Sequence, residues 1–229
     1  MLIIHFKFAK NQLLAVMITI KPLEFNLFSV NTYVISDETN ECIIVDPGCN
    51  NPSEEQKLQD YISKKALKPK ALVITHYHID HILGIEFVMN KWGLKPIAHK
   101  DGEPFWQNKR MGYEFGLESS KVVEPGTFVD EGDIIKFGNT ELEVVSVPGH
   151  ADGSICLVNH SQGFVITGDV LFYGSIGRTD LPTGDFQLLT KGILTKLFIL
   201  NDNYVVYPGH GQKSVIGMEK LYNPYVGAN

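Results

Sequence analysis

Apolar and polar positions alternate in short runs closed by turns, and between these runs lie segments with helical spacing. The alternation over 18–35 and the run 41–46 predict strands, the second closed by Asp46-Pro47-Gly48. Over 53–66, Leu58, Tyr61, Ile62 and Ala66 recur at helical spacing among charges, which predicts an amphipathic helix. A buried strand is expected over 71–74, a helix over 81–91 and a short strand around 96–98. Strands at 134–137 and 142–147 should pair around Gly138-Asn139, and two more, 154–159 and 164–167, should pair through the turn 160–163. The segment 185–199 reads as helix, 204–207 as a short strand and 213–221 as a last helix. Strands thus fall into two groups, each followed by helices and with no linker between them. That pattern predicts one α/β domain of two packed sheets with helices outside.

Two stretches stand apart. Residues 101–120 scatter Phe105, Trp106, Met111, Tyr113 and Phe115 among Gly, Lys and Arg, as expected of an insertion over a site or of rings padding a core edge. Strand-like alternation begins only at Ile18, so Met17 is a candidate start. Residues 1–16 are expected to be a disordered or mis-annotated extension, with the domain proper over 17–229.

Composition narrows the function classes. The 229 residues are 44% hydrophobic, enough for one large domain with a substantial core. A net charge of −6 without a dense Lys/Arg run argues against nucleic acid as partner or substrate. No stretch is apolar and long enough to predict a membrane span. Cys42, Cys49 and Cys156 are odd in number and form no Cys-x-x-Cys pair, which fits a reducing, cytoplasmic compartment.

The chemistry concentrates in Thr75-His76-Tyr77-His78-Ile79-Asp80-His81. In extended chain, residues two apart point the same way, so His76 and His78 can face one point. Asp80 is a fair helix N-cap, and the reversal there should aim Asp80 and His81 at a second point. Three further turns repeat one device, a strand, a glycine and a ligand: Pro148-Gly149-His150, Gly168-Asp169 and Pro208-Gly209-His210. This inventory suggests two divalent ions, one on His76, His78 and His150, the other on Asp80, His81 and His210, with Asp169 bridging. An all N/O ligand set suits zinc first, with iron and manganese as alternatives. Such a centre keeps net positive charge on an acidic protein and favours a small anionic substrate. His5, His99 and His160 read as surface or packing residues, and Tyr77 as pocket lining or packing.

With these turns in place the chain resembles the metallo-β-lactamase-fold hydrolases, whose His-x-His-x-Asp-His motif is matched by residues 76–81, followed in order by His150, Asp169 and His210. The resemblance runs from about residue 18 to the end and implies a four-layer αβ/βα sandwich with two metals at the edge between its sheets. Within that superfamily, residues 148–154, 168–172, 177–185, 207–211 and 217–226 are similar to compact, single-domain relatives of glyoxalase II (hydroxyacylglutathione hydrolase). Only 19 residues follow His210, so the C-terminal helical domain that gives glyoxalase II its glutathione contacts is not expected here. The motif also continues with Leu83 where glycine is frequent. The implied activity is hydrolysis of an acyl thioester by a metal-bridging hydroxide, which Asp80 steers or whose proton it handles. Hydrolysis of lactones or other esters is a variant of it. The alternative is a persulfide dioxygenase with one iron on His76, His150 and Asp169, although Pro208-Gly209-His210-Gly211 differs from the usual surroundings of that family's last histidine. Arg178 reads as a carboxylate clamp or a buried structural ion pair with Asp180 or Asp185. Nothing in the sequence indicates an oligomeric state.

Overall fold

The computed structural model describes residues 17–102 and 123–228. The extension 1–16 and the aromatic positions of the 101–120 stretch lie outside these residues. Two six-stranded sheets form the frame. The first contains β1 (Thr19–Phe25), β2 (Val30–Ser36), β3 (Glu41–Val45), β4 (Lys68–Val73), β5 (Pro96–His99) and β6 (Thr127–Val129), in chain order. The second contains β7 (Ile134–Phe137), β8 (Thr140–Ser146), β9 (Ile155–Asn159), β10 (Phe164–Gly168), β13 (Val205–Pro208) and β14 (Ser214–Val215). Its order is β14-β13-β10-β9-β8-β7. A small hairpin, β11 (Leu171–Phe172) with β12 (Ser175–Ile176), hangs from the end of β10.

Strand alternation explains the layering. On β3, Cys42 and Ile44 enter one core while Ile43 and Val45 enter another, and on β4 Leu72 parts from Ala71 and Val73 in the same way. The first core receives helices α1 (Pro52–Lys64), the one-turn α2 (Ile79–Ile82) and α3 (Ile85–Trp92). The second lies between the sheets, where Ile155, Leu157, Phe164 and Ile166 meet Tyr33, Ile35 and Val73. A third lies on the far face of the second sheet, where Cys156, Val158 and Val165 meet α4 (Phe186–Gly192), a π-helical turn (Ile193–Leu197) and α5 (Ile216–Tyr222). Three apolar interfaces separate four layers, the expected αβ/βα sandwich. Each fully buried Leu or Ile at such an interface contributes roughly 1.5–3 kcal/mol.

Several elements differ from the sequence reading. The strand expected over 18–35 is a hairpin, broken where Asn26 and Ser29 take positive φ. The helix expected over 81–91 is two helices, because the Gly84 amide donates to the Pro47 carbonyl at 2.7 Å and turns the chain. Asp80 is not a cap: His78 occupies that position, and Asp80 lies in the first turn with its carboxylate 3.1 Å from His210 Nε2. Asp185 does cap α4, accepting from Leu188 N at 2.9 Å.

At the end of the sandwich where β2 turns into β3 and β7 into β8, Asp37 ties the sheets together. Its carboxylate accepts from Thr39 N at 3.0 Å, Asn139 N at 2.7 Å and Thr140 Oγ1 at 3.0 Å. Burial alone would raise its pKa, but these hydrogen bonds outweigh it and hold the carboxyl below its ordinary value. The ionised form is therefore favoured by folding. Its contribution is complete above the unfolded value of about 4 and is lost as pH falls through the lower folded value. Asp37→Ala should lower stability at pH 7 by about 1–3 kcal/mol through the donors it leaves unpaired. In urea titrations the gap to the parent should close with acidification; a gap constant down to pH values well below the carboxylate range would contradict the clasp.

Candidate metal centre

Five strands end at one edge between the sheets, and each delivers polar side chains there. Asp46 follows β3, His76 to His81 follow β4, His150 follows β8, Asp169 follows β10 and His210 follows β13. This is where open α/β sheets place their chemistry, because backbone leaving the strand ends is free to turn toward a ligand.

The structure brings all seven sequence-predicted residues together. Ligand atoms of His76, His78 and His150 lie within 4.8 Å of one another, and so do those of Asp80, His81 and His210. Asp169 stands between the groups: its Oδ1 is 3.3 Å from His81 Nε2, and its Oδ2 is 3.6 Å from His150 Nε2 and 3.5 Å from His210 Nε2. Gly209 makes this approach possible, since a Cβ there would strike Asp169 Oδ1 and the His81 ring.

Outer partners orient the imidazoles. His150 Nδ1 donates to the Arg178 carbonyl at 2.8 Å and His210 Nδ1 to the Phe28 carbonyl at 2.9 Å, so each turns Nε2 inward. His81 Nδ1 lies 2.9 Å from Asp46 Oδ2, with the same result. His76 Nε2 is buried and has no hydrogen-bond partner among the described residues. An orphaned buried nitrogen costs about 1–3 kcal/mol, and an ion among these donors removes that cost. The donor set therefore fits divalent metal.

Electrostatics divide the cluster. Burial, and then the neighbouring imidazoles, depress His76 well below the ordinary value and His78 to about 3. His150 is lowered chiefly by burial. Burial also opposes charge on His81 and His210, yet Asp80 and Asp169, with Asp46 beside His81, outweigh it and raise both. Burial likewise disfavours the charged forms of Asp80 and Asp169, but His81 and His210 keep both carboxyls below the ordinary range. One half thus presents neutral imidazoles, ready as ligands, while in the other an entering cation competes with protons.

Asp46 is the functional residue that the sequence reading missed, having taken it only as part of a turn. It sits at φ 50°, almost fully buried, and its carboxylate accepts from Thr75 N at 2.7 Å and Thr75 Oγ1 at 2.6 Å besides facing His81. Those contacts occupy it as a support for the histidine loop. A signal is present in the sequence: Asp46 directly ends the apolar run 42–45, the same strand-then-ligand placement as at the histidines. Arg178 makes the expected ion pair with Asp180, but at the surface rather than buried, and its side chain clamps no carboxylate at the site. Its guanidinium pairs with Asp180 through two 2.7 Å bonds on the surface, and its backbone carbonyl is what serves the site. Tyr77 and His99 are buried in the fold, His160 is at the surface, and His5 lies outside the described residues.

The sequence profile of the Metallo-beta-lactamase superfamily matches residues 25–210. The chain belongs to that superfamily. It is 35% identical over 213 residues to the hydroxyacylglutathione hydrolase GloC of Haemophilus influenzae, covering 90% of this chain and 97% of that relative. The crystal structure of TTHA1623 in a di-iron-bound form superposes with a TM-score of 0.80 at 29% identity, covering 90% of this chain and 99% of the other. That of ETHE1 from Myxococcus xanthus superposes with a TM-score of 0.72 at 27% identity, covering 91% and 84%. As a metallo-beta-lactamase superfamily member the chain is a metallo-hydrolase, and the fold implied by its histidine motif is the fold it has.

Proposed function

We propose that this chain hydrolyses acyl thioesters at a two-metal centre, in the manner of glyoxalase II, and that 17–229 is one hydrolase domain. The observation that carries the reading is two of the cluster's three donor groups (His76, His78 and His150; Asp80, His81 and His210) with Asp169 within reach of both. In the third, with His76 and His81, the Asp46 carboxylate is already taken by Thr75. His76, His78 and His150 would hold one ion, Asp80, His81 and His210 the other, and Asp169 both; zinc suits the donors, as do iron and manganese. Bound there, two divalent ions supply a water acidic enough to ionise near neutral pH and a Lewis acid for a developing oxyanion.

The chain's own residues do the rest. Asp46 and the carbonyls of Phe28 and Arg178 fix the imidazole orientations, so the donors need no reorganisation during turnover. Asp80 is the group for proton handling: its Oδ2 faces His210 Nε2 and, unlike fully buried His81, its side chain is 13% exposed. The motifs shared with compact glyoxalase II relatives and the 35% identity to GloC support a thioester such as an S-2-hydroxyacylglutathione. The buried, free Cys42, Cys49 and Cys156 suit a reducing cytoplasm. Among the described residues, no helix is long and apolar enough to cross a membrane.

A single iron on His76, His150 and Asp169 would have no use for Asp80. Asp80→Ala should therefore lower kcat/KM for S-lactoylglutathione about 10²–10⁴-fold, the range of a lost general acid–base group. The assay is run without oxygen, following thiol release. Parental turnover by Asp80→Ala, or turnover of a glutathione persulfide with oxygen uptake in place of thioester hydrolysis, would overturn the proposal. Lactones and simple esters in the same assay separate thioester preference from general ester cleavage.

A further inference from the structure

Asn26, in the β1–β2 turn, lies far in sequence from every histidine of the cluster yet reaches two of the three members of one half. Its side-chain amide donates to the Gly48 carbonyl at 2.9 Å and to the Asp80 carbonyl at 2.9 Å. Its Oδ1 accepts from Phe28 N at 3.0 Å, and the carbonyl of that same Phe28 accepts from His210 Nδ1 at 2.9 Å. One amide thus holds the backbone that carries Asp80 and the backbone that orients His210. Asn26 is held in turn: it adopts φ 53°, a left-handed conformation that asparagine tolerates, and its N–H donates to Glu54 Oε1 at 2.9 Å. The junction is tight. A Cβ at Gly48 would collide with Val30 Cγ1 and come within 2.8 Å of the Asn26 amide nitrogen.

None of these contacts touches His76, His78 or His150. The backbone around His210 has a separate anchor, because Asn31 Nδ2 donates to Pro208 O at 3.1 Å and Gly211 O at 2.9 Å. Loss of the Asn26 side chain would therefore leave the loop in place. What it would release is the direction of the His210 imidazole and the height of Asp80 in its turn.

We propose that Asn26 is a positioning residue that keeps Asp80 and His210 in register with the rest of the cluster. On the two-ion reading above, on which this step rests, it thereby sets the affinity for the second ion without altering the first. Outer-sphere partners of metal ligands typically govern affinity by about 10–100-fold. The mechanism here is geometric: two of the three donors unique to that half lose a shared brace.

The test uses the full chain, with Asn26→Gly, which accepts the left-handed turn and removes the side chain with its amide. Asn26→Asp is a second variant that also tolerates the turn but cannot donate to two carbonyls. Cobalt(II) is titrated into metal-free protein by calorimetry and visible absorption, and histidine ring ¹⁵N shifts are recorded before metal is added. The expected result is a parental first equivalent, a second weakened about 10–100-fold, and a moved His210 ring resonance with His76 and His150 unmoved. Parental binding of both equivalents, equal weakening of both, or an unchanged His210 resonance would overturn the proposal. A parent protein that takes up one equivalent would contradict the two-ion reading, while the ring shifts in metal-free protein would still decide whether Asn26 positions His210.

Discussion

Replacing Asp169 with alanine is expected to cost the protein both ions of the proposed two-metal centre and nearly all of its activity. No other carboxylate of the cluster reaches His81, His150 and His210 together, at 3.3, 3.6 and 3.5 Å. On the two-ion reading, its removal would take a ligand from each half and the main negative charge that would let two cations sit side by side. If loss of the ions forfeits about 4 kcal/mol of transition-state stabilisation, kcat/KM falls by about 10³-fold or more. The same substitution should lower the pKa of His81 and His210, because Asp169 is among the charges that raise them. Metal analysis after dialysis, with histidine titration by NMR, checks both effects. Loss of one equivalent alone would place Asp169 in a single site.

Asp46 should show a comparably large effect, read in stability. It is 1% exposed and faces three donors, Thr75 N, Thr75 Oγ1 and His81 Nδ1. Asp46→Ala leaves them unpaired inside the fold and strips His81 of a buried counter-charge. Removing one member of such a network costs roughly 3–5 kcal/mol. Asp46→Asn, isosteric but uncharged, should recover part of the fold and little of the His81 orientation. Urea unfolding of metal-free protein measures the cost without linkage to bound ions. A change below about 1 kcal/mol in Asp46→Ala, the net worth of an ordinary hydrogen bond, would show that the loop is held from elsewhere.

Much of the site is legible because its ligands cluster locally. His76, His78, Asp80 and His81 fall within one turn after an apolar strand, and His150, Asp169 and His210 each follow a strand and a glycine. The sandwich is legible for a similar reason: strands buried on both faces read as apolar runs, and β3, β9, β10 and the second half of β4 are such strands. Hidden features depend on distant approach. Asn26 meets Asp80 across 54 positions, and the break between α2 and α3 depends on Gly84 reaching Pro47. Asp46 was masked by its own neighbours, since Asp-Pro-Gly is also an ordinary turn. The strands β6, β11 and β12, two or three residues each, are too short for alternation to register. Arg178 shows the opposite case, in which an aspartate two residues away captures the side chain before any site can.

The two-metal centre is decided by how many ions the cluster binds and where. Crystals of the full chain loaded with zinc or iron, measured at the metal's absorption edge, would answer this through anomalous scattering. Two peaks of similar height are predicted, about 3.5–4 Å apart, one on His76, His78 and His150 and one on Asp80, His81 and His210, with Asp169 between them. A single fully occupied peak on His76, His150 and Asp169, with Asp80 and His210 turned away, would contradict it.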